Sequence, residues 1–184
     1  MKKIGVLLII ILIVVLGYFF NRETILKKFY KTEYSEYVEK YAKENNVDPL
    51  LVYAVIKAES NFKEGALSSK GACGLMQLMD NTAKEVAVNK VMEYESGSTL
   101  YSPEKNISLG VTYYASLKAQ FGNDRVALAA YNAGSGNVRE WIKKGIIKAD
   151  GSDIENIPYK ETNMYVRKIL KDYKIYKKLY NEKN

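Results

Sequence analysis

The sequence contains no histidine, a single cysteine (Cys73) and only three prolines. Each scarcity removes a class of chemistry. Without histidine there is no Ser-His-Asp triad, no Cys-His pair and no imidazole-ligated zinc. One cysteine cannot form an intramolecular disulfide framework. Chemistry must therefore use carboxylates, tyrosines, lysines, amides or hydroxyls. The chain is not depleted in apolar residues: hydrophobic residues make up 47% and charged residues 27%. That excludes a disordered or collagen-like polymer. A length of 184 residues suits one domain with a tail or an anchor.

Charge is missing from one stretch. Met1-Lys2-Lys3 precedes an uncharged run over residues 4–20, IGVLLIIILIVVLGYFF. At ~1.5 Å per residue it spans about 25 Å, slightly short of a ~30 Å hydrocarbon core. A cleaved signal peptide would have a shorter apolar region and a small-x-small site. Here the run ends in Tyr18-Phe19-Phe20, aromatics suited to a membrane interface. Residues 1–21 thus read as a transmembrane anchor, with a signal sequence as the alternative. Lys2 and Lys3 orient the N-terminus to the cytoplasm. Residues 22–33 read as a basic stalk and 34–184 as an extracytoplasmic folded domain. Of the net charge of +7, Lys2 and Lys3 account for two, and the +5 left on the exported part suits an anionic cell envelope. No nucleic-acid motif is recognisable, so nucleic acid is not an expected partner.

The folded part has helical periodicity and no convincing strand. Tyr34, Tyr37, Val38 and Tyr41 recur at three- and four-residue spacing. Asp48-Pro49 is a helix start, with Asp as N-cap and Pro in the first turn, and Val52, Val55 and Ile56 form an apolar stripe behind it. The Gly- and Ser-rich stretch from Asn61 to Gly74 reads as a loop. Thr82-x-x-Glu85 resembles a capping box. Ser102-Pro103 opens a long helix that Gly122 stops. Asn123 or Asp124 caps an alanine-rich helix expected to end at Tyr131, with a turn from Asn132 to Gly136. Val138, Trp141 and Ile142 mark a short helix, and the last runs from about Lys160 to Tyr180. The expected fold is mainly α, with one core.

One residue does not suit its surroundings. Seven residues of helix advance about 700°, so Glu59 points within roughly 20° of Val52. A carboxylate in line with an apolar stripe, at a helix C-terminus, is disfavoured in its ionised form. A raised pKa is expected, as needed to protonate a leaving oxygen. Periodicity alone equally fits a glutamate paired with a lysine at the stripe's end.

The residues around Glu59 carry a resemblance. Glu59-Ser60 is followed by the segment from Ala66 to Met79, ALSSKGACGLMQLM. Later come Ala129-Ala130-Tyr131-Asn132-Ala133-Gly134 and Ile157-Pro158-Tyr159-Lys160-Glu161-Thr162. In this order the blocks resemble the soluble lytic transglycosylase family, of goose-type lysozyme-like fold, over about Tyr34 to Tyr180. Two positions depart from the family pattern: Asp80 stands where proline is common, and Asn163 where arginine is common.

The resemblance implies a compact helical domain with a glycan-binding groove, acting on peptidoglycan glycan strands without metal or organic cofactor. It implies Glu59 as the single catalytic acid, cutting the β-1,4 bond between N-acetylmuramic acid and N-acetylglucosamine and leaving a 1,6-anhydro end. It implies groove roles for Ser68, Gln77, Met79, Tyr131, Asn132, Glu161 and Tyr165. Plainer structural roles stand beside these: a turn for Ser68, a helix-start polar residue for Gln77, packing for Met79, Tyr131 and Tyr165, a helix C-cap for Asn132, and first-turn charge for Glu161. A hydrolytic muramidase using the same acid, and a glycan-binding scaffold of a wall-spanning complex, are the alternative functions.

Overall fold

The structure is a computed structural model that describes residues 21–181 together with Ile4, Ile11, Leu12 and Gly17. The expected anchor at residues 4–20 therefore falls largely outside the described residues. Among those described, no helix is long and apolar enough to cross a membrane.

Residues 21–29 are helical. Seven helices follow: α1 (Ser35–Glu44), α2 (Pro49–Glu59), α3 (Asp80–Lys90), α4 (Pro103–Phe121), α5 (Asp124–Ala133), α6 (Ser135–Lys143) and α7 (Lys160–Tyr180). Single 3₁₀ turns lie at Gly97–Tyr101 and Ile154–Asn156. Among the described residues the only extended pairing is two isolated bridges, Leu67 with Cys73 and Cys73 with Leu78, which close the glycine-rich loop on itself.

The helix starts follow local chemistry. The Asp48 carboxylate accepts from the Leu50 N–H, with Pro49 in the first turn, and Asn123 accepts from Val126 N–H. Gly122 ends α4 with φ 77°, a left-handed conformation that costs glycine little.

Three local expectations differ. α3 begins at Asp80 with Met79 as its extended N-cap residue, so Thr82 lies inside the helix and no Thr82–Glu85 box opens it. α5 continues through Asn132 to Ala133, and Gly134, at φ 85°, makes the break. α2 has more than an apolar stripe, because Leu50 through Ile56 are all buried.

That full burial makes α2 the centre of the core. It packs against α7 and α1, while α5 packs against α4, α6 and α7. Ala127, Ala129 and Ala130 are fully buried, and their small side chains let α5 approach its neighbours closely. A smaller apolar cluster gathers Cys73, Leu78, Ala83, Val86, Ala87, Leu100 and Leu109 beneath the loop and α3. The last residue of the central helix, Glu59, thus emerges where α2, the 61–79 loop, α5 and α7 meet.

Candidate active site

Glu59 is partly exposed at the end of α2. Tyr165, one turn into α7, donates its hydroxyl to Glu59 Oε1 at 2.6 Å. Burial pushes the Glu59 carboxyl up to about 7, against the opposing pull of the Tyr165 hydrogen bond and the Lys168 charge, while Glu161 adds a further push upward. Among the described residues no lysine forms an ion pair with Glu59; Lys168 instead reaches the carbonyl of Ala58 at 3.4 Å. The lysine-paired reading of Glu59 therefore gives way to a carboxyl poised near neutrality.

Two tyrosines surround this group. Burial and the Glu59 charge hold the hydroxyls of Tyr165 and Tyr131 well above the ordinary tyrosine range, so both stay protonated donors. Tyr131 comes from α5, and its hydroxyl donates to the carbonyl of Met76 at 2.8 Å, not to Glu59. Its ring leans on Tyr113 with centroids 5.2 Å apart. Tyr131 thus fixes the loop beside the carboxyl.

The loop is held by its own backbone and a few buried polar groups. Gln77 adopts φ 48°, and its side-chain amide donates to the carbonyls of Gly74 (2.9 Å) and Ala66 (3.2 Å). Ser68 Oγ accepts from the Ala72 N–H at 2.9 Å, closing a turn within the loop. Met79 is 42% exposed and offers a flexible apolar face beside the loop.

The remaining expected residues lie on the opposite wall. Asn132 accepts a hydrogen bond from Thr162 Oγ1 at 2.7 Å, tying α5 to the first turn of α7. Glu161 is exposed, with Lys70 of the loop 3.9 Å away. Asn163, at the position where the family often has arginine, donates to the carbonyls of Ile154 and Glu155 and so braces the 3₁₀ turn. An open cavity of about 810 Å³ runs along this face, lined by Lys160, Glu161, Met164, Tyr165 and Lys168. The fold thus gathers Glu59, Tyr165 and Tyr131 at one point, places Asn132 and Glu161 on the α7 side, and puts Ser68, Gln77 and Met79 on the loop.

Sequence reasoning missed the residues that hold this arrangement. Asn106, wholly buried, accepts from the Met76 N–H (2.7 Å) and donates to the carbonyls of Leu100 (2.9 Å) and Cys73 (3.0 Å). Ser60 donates to the carbonyl of Leu75 at 2.8 Å, joining the residue after Glu59 to the loop. Gly110 lets α4 touch Met76: a Cβ there would stand 2.5 Å from the Met76 sulfur and 2.9 Å from its Cβ. A polar residue directly before the apolar Ile107 was the one available signal, for Asn106. Among the described residues no group of three or more carboxylates or thiols is placed to hold a metal ion.

Known proteins share this fold. Residues 36–152 match the family model described as the Transglycosylase SLT domain. The soluble lytic murein transglycosylase of Salmonella typhimurium is 34% identical over 148 residues, 79% of this chain and 23% of that protein. The membrane-bound lytic murein transglycosylase C of Edwardsiella ictaluri is 35% identical over 116 residues, 58% of this chain and 32% of the relative. Among solved structures, lytic transglycosylase Slt of Pseudomonas aeruginosa, as an inactive glutamate-to-glutamine mutant, superposes with a TM-score of 0.75 at 34% identity, over 85% of this chain and 26% of that one. A 70 kDa soluble lytic transglycosylase in complex with bulgecin A gives 0.76 at 33% identity, over 86% and 26%. The chain spans about a quarter of the length of the soluble relatives. With the match covering more than half of its residues, and the fold shared, the chain belongs to the Transglycosylase SLT domain family.

Proposed function

We propose that this chain is a peptidoglycan lytic transglycosylase. It cleaves the β-1,4 bond between N-acetylmuramic acid and N-acetylglucosamine and leaves a 1,6-anhydro-N-acetylmuramic acid end. The observation that carries the reading is the Glu59 carboxyl, raised to about 7 by burial and held by Tyr165. A group poised near neutrality can donate a proton and then take one back within a turnover. The names of the relatives, and the inactivity of a glutamate-to-glutamine relative, support it.

In this scheme protonated Glu59 gives its proton to the glycosidic oxygen as the C1–O bond breaks. The 2-acetamido carbonyl of the muramic acid stabilises the charge at C1. The C6 hydroxyl then attacks C1, and its proton passes to the Glu59 carboxylate. No water is consumed, and the attacking group is already tethered to the sugar. Most glycosidases use two carboxylates. Here Glu161, the other carboxylate acting on Glu59, is exposed and faces Lys70, which favours a one-acid scheme. Tyr165 positions Glu59 and steadies its ionised form; Tyr131 and Gln77 shape the loop. Ser68, Met79, Asn132 and Glu161 line the path of the glycan. No cofactor enters.

We place the domain on the extracytoplasmic side, tethered by residues 4–20. The uncharged run and the membrane-bound relatives support this. The described residues Ile4, Ile11 and Leu12 are 65%, 49% and 57% exposed, so the domain does not cover them.

Mass spectrometry of products tests the chemistry. Purified peptidoglycan is digested with the chain and, in parallel, with a Glu59→Gln variant. Muropeptides ending in 1,6-anhydro sugar, absent with the variant, are expected. Reducing ends heavier by one water would make the protein a hydrolytic muramidase. Binding without any product would make it a glycan-binding scaffold.

A further inference from the structure

The segment joining the apolar run to the domain is fastened to it. Tyr30 donates its hydroxyl to Asp172 at 3.0 Å. Asp172 is only 6% exposed, so this bond satisfies a buried carboxylate whose loss of solvent needs such a partner. Tyr176 donates to the carbonyl of Lys31 and Tyr180 to that of Tyr30, each at 2.8 Å. The Tyr30 and Tyr176 rings meet edge to face at 5.4 Å. Lys57 of the central helix lies 4.8 Å from the Tyr30 ring, and Lys27 lies 5.4 Å from that of Tyr180.

These contacts run in opposite chain order. Moving back from Lys31 to Lys27, the partners on α7 advance from Tyr176 to Tyr180. Residues 21–29 and the C-terminal half of α7 are therefore antiparallel, and α7 carries its C-terminal end towards residue 21. At ~1.5 Å per residue, Tyr30 stands about 14 Å from residue 21, and Tyr165 a further ~22 Å along α7 from Tyr180. The outer faces of this end carry Arg22, Lys28, Lys174, Lys177 and Lys178, all exposed. The acids Glu23 and Glu33 are engaged by Lys27 and Lys31 at 2.9 and 2.8 Å.

We propose that this end of the molecule is a membrane-contact surface for anionic lipid headgroups, and that the latch between residues 27–31 and α7 holds the groove at a fixed height, roughly 35 Å along the strut, above the apolar core of the bilayer. The inference rests on residues 4–20 being an anchor. Basic residues next to an anchor are attracted to anionic headgroups within about a Debye length, and the latch turns that attraction into an orientation. Glycan would then be cut only within a defined layer above the membrane.

The test uses the full chain in bilayers of phosphatidylcholine with or without phosphatidylglycerol. A donor dye at Lys160→Cys reports energy transfer to acceptor-labelled headgroups, in a Cys73→Ser background. A narrow height distribution with phosphatidylglycerol is expected. It should broaden in Tyr30→Ala, and in Arg22→Glu/Lys28→Glu, whose exposed positions leave the core untouched, with cleavage of soluble glycan fragments unchanged in the charge-reversal variant. A broad distribution indifferent to lipid charge and to both variants would overturn the proposal while leaving the anchor standing. Release of the chain from the bilayer by alkaline carbonate would overturn the anchor, and the proposal with it.

Discussion

Tyr165 and Glu59, 106 residues apart in the chain, meet at 2.6 Å. The bond joins the end of the central helix to the first part of the last one. It also opposes the burial that raises the Glu59 carboxyl, because a hydroxyl donor favours the ionised form. The two effects have separate consequences.

Burial of Glu59 ties stability to pH. Below about pH 4.5 the group is protonated in both folded and unfolded chains and contributes nothing. From there to about 7 the folded state keeps a proton that the unfolded state has lost, so stability falls as pH rises. Above 7 the full cost is in place, about 3 kcal/mol by linkage. Glu59→Gln removes the charge and keeps an oxygen for Tyr165 to donate to. The variant should exceed the parent in stability by about 2–3 kcal/mol at pH 8 and match it at pH 4, in urea titrations at both values. Equal stability at pH 8 would contradict a carboxyl held near 7.

Removal of the Tyr165 hydroxyl acts in the other direction on the same group. Tyr165→Phe takes away the contact that favours ionised Glu59, so the carboxyl should titrate higher still. The alkaline fall in activity, set in the parent near pH 7 by loss of the acid form, should move upward in the variant. Turnover should drop by about tenfold, the worth of one charge-assisted hydrogen bond to the carboxylate. A pH–rate profile distinguishes this from a packing defect, which would lower activity without moving the limb.

Where sequence and structure agree, the controlling interactions are short-range. Asp48-Pro49 starts α2 because the cap and the proline act within one turn, and Gly122 stops α4 for an equally local reason. Glu59 is legible because seven residues of helix return it to the side of Val52. The disagreements arise where distant partners decide. The stop expected after Tyr131 is overruled because α5 runs two residues further, to Ala133, before Gly134 supplies the positive-φ break, and Thr162, thirty residues away, takes the Asn132 side chain. The Tyr131 hydroxyl finds a backbone carbonyl, at Met76, presented by a loop whose next residue, Gln77, has positive φ. No residue pattern encodes that carbonyl's direction. Ser68, by contrast, is settled locally: its hydroxyl oxygen accepts from the Ala72 N–H four residues on, the turn role that its place in a Gly- and Ser-rich stretch already offers.

Asn106 should be the costliest single polar residue to lose near the site. Truncation in Asn106→Ala strands a buried N–H of Met76 and removes the donor to two carbonyls. Unsatisfied buried groups cost about 1–3 kcal/mol each, so a loss of roughly 3–5 kcal/mol is expected, read as a midpoint shift in urea with unchanged slope. A loss under about 1 kcal/mol would mean that the loop repairs its own bonding.

Two glycines should respond to the same substitution with opposite sign. Alanine is a better helix former than glycine by up to about 1 kcal/mol. Gly136 in α6 has nothing within 4 Å of a Cβ, so Gly136→Ala should stabilise by about 0.5 kcal/mol and leave cleavage unchanged. Gly110 in α4 faces Met76, which is 1% exposed and cannot withdraw. Overpacking there costs about 1–3 kcal/mol, which exceeds the propensity gain. Gly110→Ala should therefore lose stability, and its activity should fall as well, because the displaced Met76 carries the carbonyl that seats Tyr131. Thermal melts and turnover on peptidoglycan, measured for both variants, separate backbone propensity from contact at the site. Parallel behaviour of the two would show that Met76 yields without disturbing the groove.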